Sequence, residues 1–95
     1  MIEVSVSEDN ITVSGHAGYA PIGQDIVCAG VSSLTQTLIK SMKDLTTDII
    51  KCSISPGRVD IEHRDLSEKS RTLVDSFFIG IIMIASEYPD YVRIV

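Results

Sequence analysis

Three side chains able to do proton or thiol chemistry lie in one short stretch, GHAGYAPIGQDIVCAGVSS, residues 15–33. His16 and Cys28 are twelve positions apart, and Asp25 precedes the cysteine by three. A cysteine nucleophile needs a base that takes its proton, or an imidazolium that holds the thiolate, and histidine titrates near neutral pH. The stretch is therefore a candidate Cys–His site, although a lone histidine near a lone cysteine also occurs in proteins without thiol chemistry.

Cys28 is expected at the start of a helix. Apolar residues recur every three or four positions after Asp25, which predicts an amphipathic helix over residues 26–45; they are Val27, Val31, Leu34, Leu38, Met42 and Leu45. Aspartate is a preferred N-cap, so Cys28 becomes the third helical residue, beside the apolar stripe. Free N–H groups and the helix dipole favour a thiolate there. The alternative is a buried structural cysteine, since free cysteines are often buried.

The segment between the two candidate residues is predicted to be a loop. GYAPIGQ, residues 18–24, has two glycines and a proline and fits neither a helical nor a strand period. We expect residues 17–24 to form a lid that orders only over a bound peptide. The residues assigned to this substrate loop are Gly15, Ala17, Gly18, Tyr19, Gly23 and Gln24.

Supporting roles are predicted for neighbours of the candidate pair. Asp25 caps the helix, orients His16, or does both. Ser32 lies one turn after Cys28, where its hydroxyl can reach the sulfur or the substrate. Backbone N–H groups at the helix start are candidates for binding an oxyanion, and the Gln24 side chain is a weaker candidate donor there.

The remaining elements indicate an α+β fold. IEVSVS and ITVSGHA alternate apolar with polar residues and predict a hairpin, as do DIIKCSIS and RVDIEH, which are joined by a type II turn at Pro56–Gly57. Asp65 and Glu68 match a capping box that opens a second helix, which Pro89 ends, and YVRIV is a last short strand. The order β-β-α-β-β-α-β predicts two layers, a mostly antiparallel sheet with two helices on one face, in one domain of residues 1–95.

Composition narrows the classes of function. The net charge is −5, without the basic patch that nucleic-acid binding requires, so no nucleic-acid partner is expected. No signal peptide is evident, and the longest strongly apolar run, FFIGIIMIA, has nine residues against about 20 for a membrane span. Two cysteines are too few for a disulfide scaffold. We expect a cytoplasmic protein with reduced thiols and no membrane partner.

The second helix also predicts self-association. Between residues 77 and 85 it is apolar on nearly every side, more than a two-layer domain covers. A homodimer would bury the outer side, whereas the alternative is cover by strand ends and loops.

Other residues with metal-binding or thiol chemistry are weaker candidates. Cys52 alternates with Ile50 and Ile54 on a strand and is expected in the core, and His63 lies in a charged stretch that is expected to be solvated. No C-x-x-C or H-x-x-x-H spacing supports a zinc site, so neither a metal nor another cofactor is expected.

The candidate stretch resembles the bacterial Prp family of ribosomal-processing cysteine proteases. The family pattern is a G-H-A triplet, a glycine-containing loop and then G-x-D-I-V-C-A followed by a small or apolar residue, V and S. In this sequence it consists of Gly15-His16-Ala17 and Gly23-Gln24-Asp25-Ile26-Val27-Cys28-Ala29-Gly30-Val31-Ser32. The ending EYPDYVRI, the length and the element order also agree with the family, and Gly30 departs from its more usual alanine.

The resemblance implies a reaction and a pair of catalytic residues. Such proteins remove a short N-terminal extension from a large-subunit ribosomal protein, cutting between a phenylalanine and a small residue. Cys28 would be the nucleophile and His16 the base, in a small α/β fold that is often a homodimer and whose loop closes over the substrate. A basic substrate suits the acidic net charge.

Two other functions stay open on the residues alone. One is a peptide- or ribosome-binding module whose cysteine is incidental. The other is a thiol redox sensor, although a resolving cysteine is usual and only Cys52 is available.

Overall fold

Alternating sequences form the strands of this protein, and periodic sequences form its helices. The computed structural model describes residues 1–95. In chain order the elements are β1 (Ile2–Val6), β2 (Asn10–Ser14), α1 (Ile26–Leu45), β3 (Ile50–Ser55), β4 (Arg58–His63), α2 (Glu68–Glu87) and β5 (Val92–Ile94). The predicted order and fold class are confirmed.

The five strands form one sheet in the order β3-β4-β2-β1-β5. The pairs β1–β2, β2–β4 and β3–β4 are antiparallel, whereas β5 pairs parallel to β1, with Ile2 opposite Val92. β2, which leads into His16, is the central strand and is paired on both sides, so the candidate site begins at the middle of the sheet.

Apolar side chains from one face of the sheet meet the two helices and form the core. Its fourteen buried members are Ile2, Val4, Ile11, Ala17, Val27, Val31, Leu38, Ile39, Met42, Ile61, Val74, Phe77, Ile81 and Val92. Each fully buried large aliphatic side chain contributes about 1.5–3 kcal/mol. Both cysteines are free, so this cluster stabilises the fold without a disulfide.

α1 begins and ends at the predicted residues. The Asp25 side chain is its N-cap and accepts a hydrogen bond from the Cys28 N–H. Val27, Val31, Leu38 and Met42 of the predicted stripe are buried, whereas Leu45 at the helix end is 60% exposed. The helix is therefore buried along one side from Val27 to Met42, which includes the turn that carries Cys28.

The predicted capping box of α2 is wrong. The N-cap is Ser67, whose hydroxyl accepts from the Ser70 N–H, and Asp65 instead adopts a left-handed conformation with φ 53°. Asp48 determines this choice, because its Oδ2 accepts hydrogen bonds from both the N–H and the hydroxyl of Ser67, at 2.9 and 2.6 Å. The helix ends at Glu87, just before Pro89, as predicted.

α2 leaves part of its surface uncovered. Ile79, Ile82 and Met83 are 60, 42 and 68% exposed, so strand ends and loops of the same chain do not cover this side. Neither helix has a stretch long and apolar enough to cross a membrane.

Candidate active site

His16 follows directly on the central strand, and its backbone is fixed on both sides. The Gly15 N–H donates to the Gly57 carbonyl oxygen at 2.8 Å, and the Met1 amino group donates to the His16 carbonyl oxygen at 2.6 Å. Ala17 is buried in the core. The His16 side chain itself is exposed. An anchored backbone thus presents the imidazole to solvent.

Cys28 lies in the first turn of α1 and is half-buried. Its own N–H donates to Asp25 Oδ1 at 2.9 Å and is therefore not free to bind an oxyanion. The Val27 N–H also acts on the Asp25 carboxylate and helps to lower its pKa, so the Ile26 N–H remains as the first-turn donor for that role.

Asp25 connects the start of α1 to the preceding loop. Its Oδ2 accepts a hydrogen bond from the Tyr19 N–H at 3.0 Å, while Oδ1 accepts from Cys28. The hydrogen bond from the Cys28 N–H is the main cause that lowers the pKa of Asp25 below its ordinary value, and the bond from Tyr19 acts in the same direction. Both oxygens are used, and no hydrogen bond links this carboxylate to His16, so the contacts support a capping role.

The candidate nucleophile and base are not hydrogen-bonded to each other in this structure. The Cys28 thiol forms no hydrogen bond with the His16 ring, and the exposed Ser32 forms none with Cys28. Gln24 is exposed, and its backbone N–H closes a turn onto the Pro21 carbonyl at 2.9 Å. The pairing of Cys28 with His16 stays a prediction.

The predicted substrate loop is anchored in its first half. The Tyr19 ring packs edge-on against Tyr88 and Tyr91, with ring centroids 5.5 and 5.2 Å apart. Ile22, in contrast, is fully exposed. Sequence reasoning missed the role of Tyr88 and Tyr91, for which no local signal exists because they follow α2, far along the chain.

Cys52 lies where the sequence predicted, whereas His63 does not. Cys52 packs against the core, as expected. The prediction that His63 is solvated is wrong for its ring nitrogens, which are both buried without a hydrogen-bond partner in the chain. His63 lines an open cavity of about 830 Å³, together with Asn10 and Asp48. Asn10 begins β2 and His16 follows its end, so this cavity lies at the other end of the sheet. The structure forms no group of three or more metal-ligating side chains.

Comparisons with known proteins give consistent results. The sequence model of the family described as cysteine protease Prp matches residues 1–93. The chain is similar to the ribosomal processing cysteine protease Prp of Mycoplasma pneumoniae, with 56% identity over 34 residues, which cover 36% of this chain and 34% of that protein. With the Staphylococcus aureus protein of the same name it shares 22% identity over 100 residues, which cover 98% of this chain and 94% of that one.

Solved structures show the same fold. The crystal structure of the Staphylococcus aureus Prp with a covalently linked product peptide has a TM-score of 0.89 at 21% identity, covering 98% of this chain and 94% of that chain. SMU.848 from Streptococcus mutans has a TM-score of 0.84 at 26% identity, covering 99% and 91%.

Proposed function

Because this chain belongs to the Prp family of cysteine proteases, we propose that residues 1–95 form a single protease domain that removes a short N-terminal extension from a large-subunit ribosomal protein. Cleavage falls between a phenylalanine and a small residue. The observation that carries the proposal is the position of Cys28 in the first turn of α1, within the residues that match the family. The net charge of −5 suits a basic substrate, and the cytoplasm, where ribosomal proteins are made, is the expected location.

The proposed reaction uses Cys28 and His16 as nucleophile and base. His16 takes the thiol proton, and the thiolate attacks the scissile carbonyl to form a tetrahedral oxyanion. The imidazolium protonates the leaving amine as the C–N bond breaks, which leaves a thioester on Cys28. Water, deprotonated by His16, then hydrolyses the thioester and releases the extension. The cycle balances without a metal or another cofactor.

The N–H groups at the start of α1 have two different partners in the proposed mechanism, the Asp25 carboxylate and the oxyanion. Asp25 holds the Cys28 N–H and the Tyr19 N–H. The first-turn N–H group of Ile26 is then left to stabilise the oxyanion, helped by the positive end of the helix dipole. Ser32 is exposed one turn further along the helix, and we expect its hydroxyl to contact substrate.

Residues 20–24 form the moving part of the proposed lid. Tyr19 is the hinge, because its ring and its N–H are both fixed, whereas residues 21–24 are exposed. The fully exposed Ile22 gains an apolar contact when the lid closes over a peptide.

Two copies of the chain form the proposed active assembly. Ile79, Ile82 and Met83 lie on one side of α2 and are exposed, and a second copy of the same helix would cover them.

A peptide-cleavage assay tests the proposed function. The substrate is a synthetic peptide that spans a phenylalanine followed by a small residue, and products are measured by mass. Cys28→Ala and Cys28→Ser are expected to abolish cleavage while circular dichroism shows an intact fold. Cys52→Ser is the matched control, since it removes the other thiol, and it should cleave at the wild-type rate. Cleavage by Cys28→Ala at that rate would exclude Cys28 as the nucleophile.

Alkylation by iodoacetamide tests the role of His16 and separates the other functions. His16→Ala should lower the alkylation rate of Cys28 near pH 7, because the imidazole no longer assists thiolate formation. Superimposable pH profiles for the two proteins would show that His16 does not act on the thiol. An unreactive Cys28 in the wild type would favour a binding module, and a reactive Cys28 without peptide cleavage would favour a redox sensor.

A further inference from the structure

The β3–β4 turn lies against the His16 imidazole, although Gly57 and His16 are 41 positions apart. A Cβ atom added at Gly57 would lie 2.8 Å from His16 Nε2, 3.3 Å from Cε1 and 3.5 Å from Cδ2. The space that a side chain at position 57 would fill is thus the space beside the Nε2 edge of the ring.

The same glycine also fixes the backbone in front of His16. Its carbonyl oxygen accepts the Gly15 N–H at 2.8 Å, one residue before the histidine. The register of the sheet supports this contact, because Ser14 at the end of β2 pairs with Arg58 at the start of β4. One residue therefore holds the backbone that leads into His16 and borders its ring.

We propose that Gly57 is a positioning residue for His16: the bare turn forms a seat for the imidazole, and any side chain at position 57 moves the ring away from its working position. The inference rests on the proposed function of His16 as the catalytic base. Gly57 itself does not touch the reacting atoms in this proposal and acts only through the imidazole.

A φ of +72° at Gly57 provides a competing explanation for the effect of any substitution. Side chains are strained in this left-handed region, so a variant can fail through the backbone alone. Alanine and asparagine separate the two causes. Asparagine tolerates positive φ better than alanine does, but it is larger. Backbone strain therefore predicts a milder effect for Gly57→Asn, whereas occupation of the seat predicts that Gly57→Asn is at least as harmful as Gly57→Ala.

Nuclear magnetic resonance of the histidine ring signals reports whether the His16 imidazole keeps its position beside Gly57. The chain has two histidines, and His63 is at the other end of β4, so its ring signals serve as a reference in the same spectrum. Gly57→Ala and Gly57→Asn should shift the ring signals of His16 and leave those of His63 in place. Gly18→Ala gives the cost of alanine at a positive φ by thermal unfolding only, because Gly18 has φ +69° and no atom within 4 Å of an added Cβ; its cleavage rate is not compared, since Gly18 belongs to the predicted substrate loop.

Peptide cleavage measures the consequence. For both Gly57 variants kcat should fall about tenfold or more, while KM stays within about twofold because the peptide site is unchanged. The alkylation rate of Cys28 should fall to that of His16→Ala. Unshifted His16 signals, or an activity loss that is milder for Gly57→Asn and follows thermal stability, would overturn the inference.

His16→Ala distinguishes failure of this inference from failure of the proposed function. If His16→Ala cleaves the peptide at the wild-type rate, the assignment of His16 as the base is wrong, and Gly57 has no catalytic group to position. If His16→Ala is inactive while Gly57→Ala keeps full activity and unshifted ring signals, only the inference about Gly57 is wrong.

Discussion

At the scale of single residues, Asp25 combines two contacts that make its charge matter for folding. Its two oxygens accept the N–H groups of Cys28 and Tyr19, and these bonds depress its pKa in the folded protein. A carboxylate with a depressed folded pKa stabilises the fold above its unfolded pKa, and this contribution is lost as the pH falls through the folded pKa.

Asp25→Asn is expected to flatten the acid limb of the stability curve. Asparagine is also a good N-cap, so the helix start remains intact, but the charge is gone. Urea unfolding from pH 7 downward should show the wild type more stable at neutral pH, with the difference shrinking below about pH 4, the unfolded value for aspartate. Asp75→Asn is the control, since Asp75 is exposed on α2. A constant difference between Asp25→Asn and wild type at every pH would contradict this account.

Residue roles were predictable where the partners are close in sequence. Asp25 caps a helix that starts at the next residue, so a pattern of a few letters predicts it. Asp65 fits such a pattern equally well, and the prediction failed because Asp48, which is distant in sequence, selects Ser67 instead. The contact of Gly57 with His16 is similarly long-range, and no local pattern indicates it.

At the scale of elements, two glycines mark how closely α1 and α2 pack. A Cβ at Gly80 would lie 2.8 and 3.0 Å from the two methyl carbons of Leu34, whereas a Cβ at Gly30 would meet only Ile84 Cδ1, at 3.3 Å. The helices therefore approach most closely at Gly80, while the end of the Ile84 side chain has to move only slightly for a methyl at position 30.

Alanine at the two positions should have opposite effects on the free energy of unfolding. Gly30→Ala gains helix propensity and should stabilise by up to about 1 kcal/mol. Gly80→Ala should destabilise the protein by about 1 kcal/mol. The cost of overpacking against Leu34 is about 1–3 kcal/mol, which exceeds the gain in helix propensity of up to about 1 kcal/mol. In a Leu34→Ala background, which removes the crowded methyl groups, Gly80→Ala should become stabilising. Equal effects of Gly80→Ala in both backgrounds would show that Leu34 does not restrict this position.

The loop between His16 and Cys28 is expected to move only beyond Tyr19. Hydrogen exchange in the free protein should be fast for residues 20–24 and slower for residues 17–19, since Ala17 is buried and Tyr19 is held by Tyr88 and Tyr91. A bound uncleavable peptide analogue should slow exchange in residues 20–24. Tyr19→Ala should extend the fast segment toward Ala17. Slow exchange across residues 20–24 in the free protein, unchanged by the analogue, would show a preformed rigid site.

Elements were easier to predict than their connections. The alternation in β1 and β2 and the apolar stripe of α1 follow directly from residue order, and the limits of α1 agree with the prediction. The anchoring of the loop by Tyr88 and Tyr91 depends on where the chain returns after α2, which periodicity does not describe.

At the scale of the whole molecule, the sheet brings distant segments of the chain together. β5 pairs parallel to β1 beside the central strand, and β4 brings the Gly57 turn to the end of β2. Pairing between neighbouring hairpin strands was predictable. The parallel pair was not, because its partners lie at opposite ends of the sequence.

The exposed side of α2 predicts a dimer that a single charge should weaken. Wild-type protein is expected to sediment as two chains of 10.4 kDa. Met83→Glu should shift the equilibrium toward monomer, because it places a charge among Ile79 and Ile82. Gln36→Glu adds the same charge on the exposed polar face of α1 and should leave the mass unchanged. A wild type that remains monomeric as concentration rises would contradict the dimer.

We propose above that Cys28 cleaves a peptide bond in an N-terminally extended ribosomal protein. Intact mass spectrometry of that large-subunit protein, after incubation with wild type, Cys28→Ala or Cys52→Ser, tests it most directly. Wild type and Cys52→Ser should remove the mass of the extension, with the new end after a phenylalanine, and Cys28→Ala should leave the full mass. An uncut substrate with folded wild-type protein, or the same shortened product with Cys28→Ala, would contradict it.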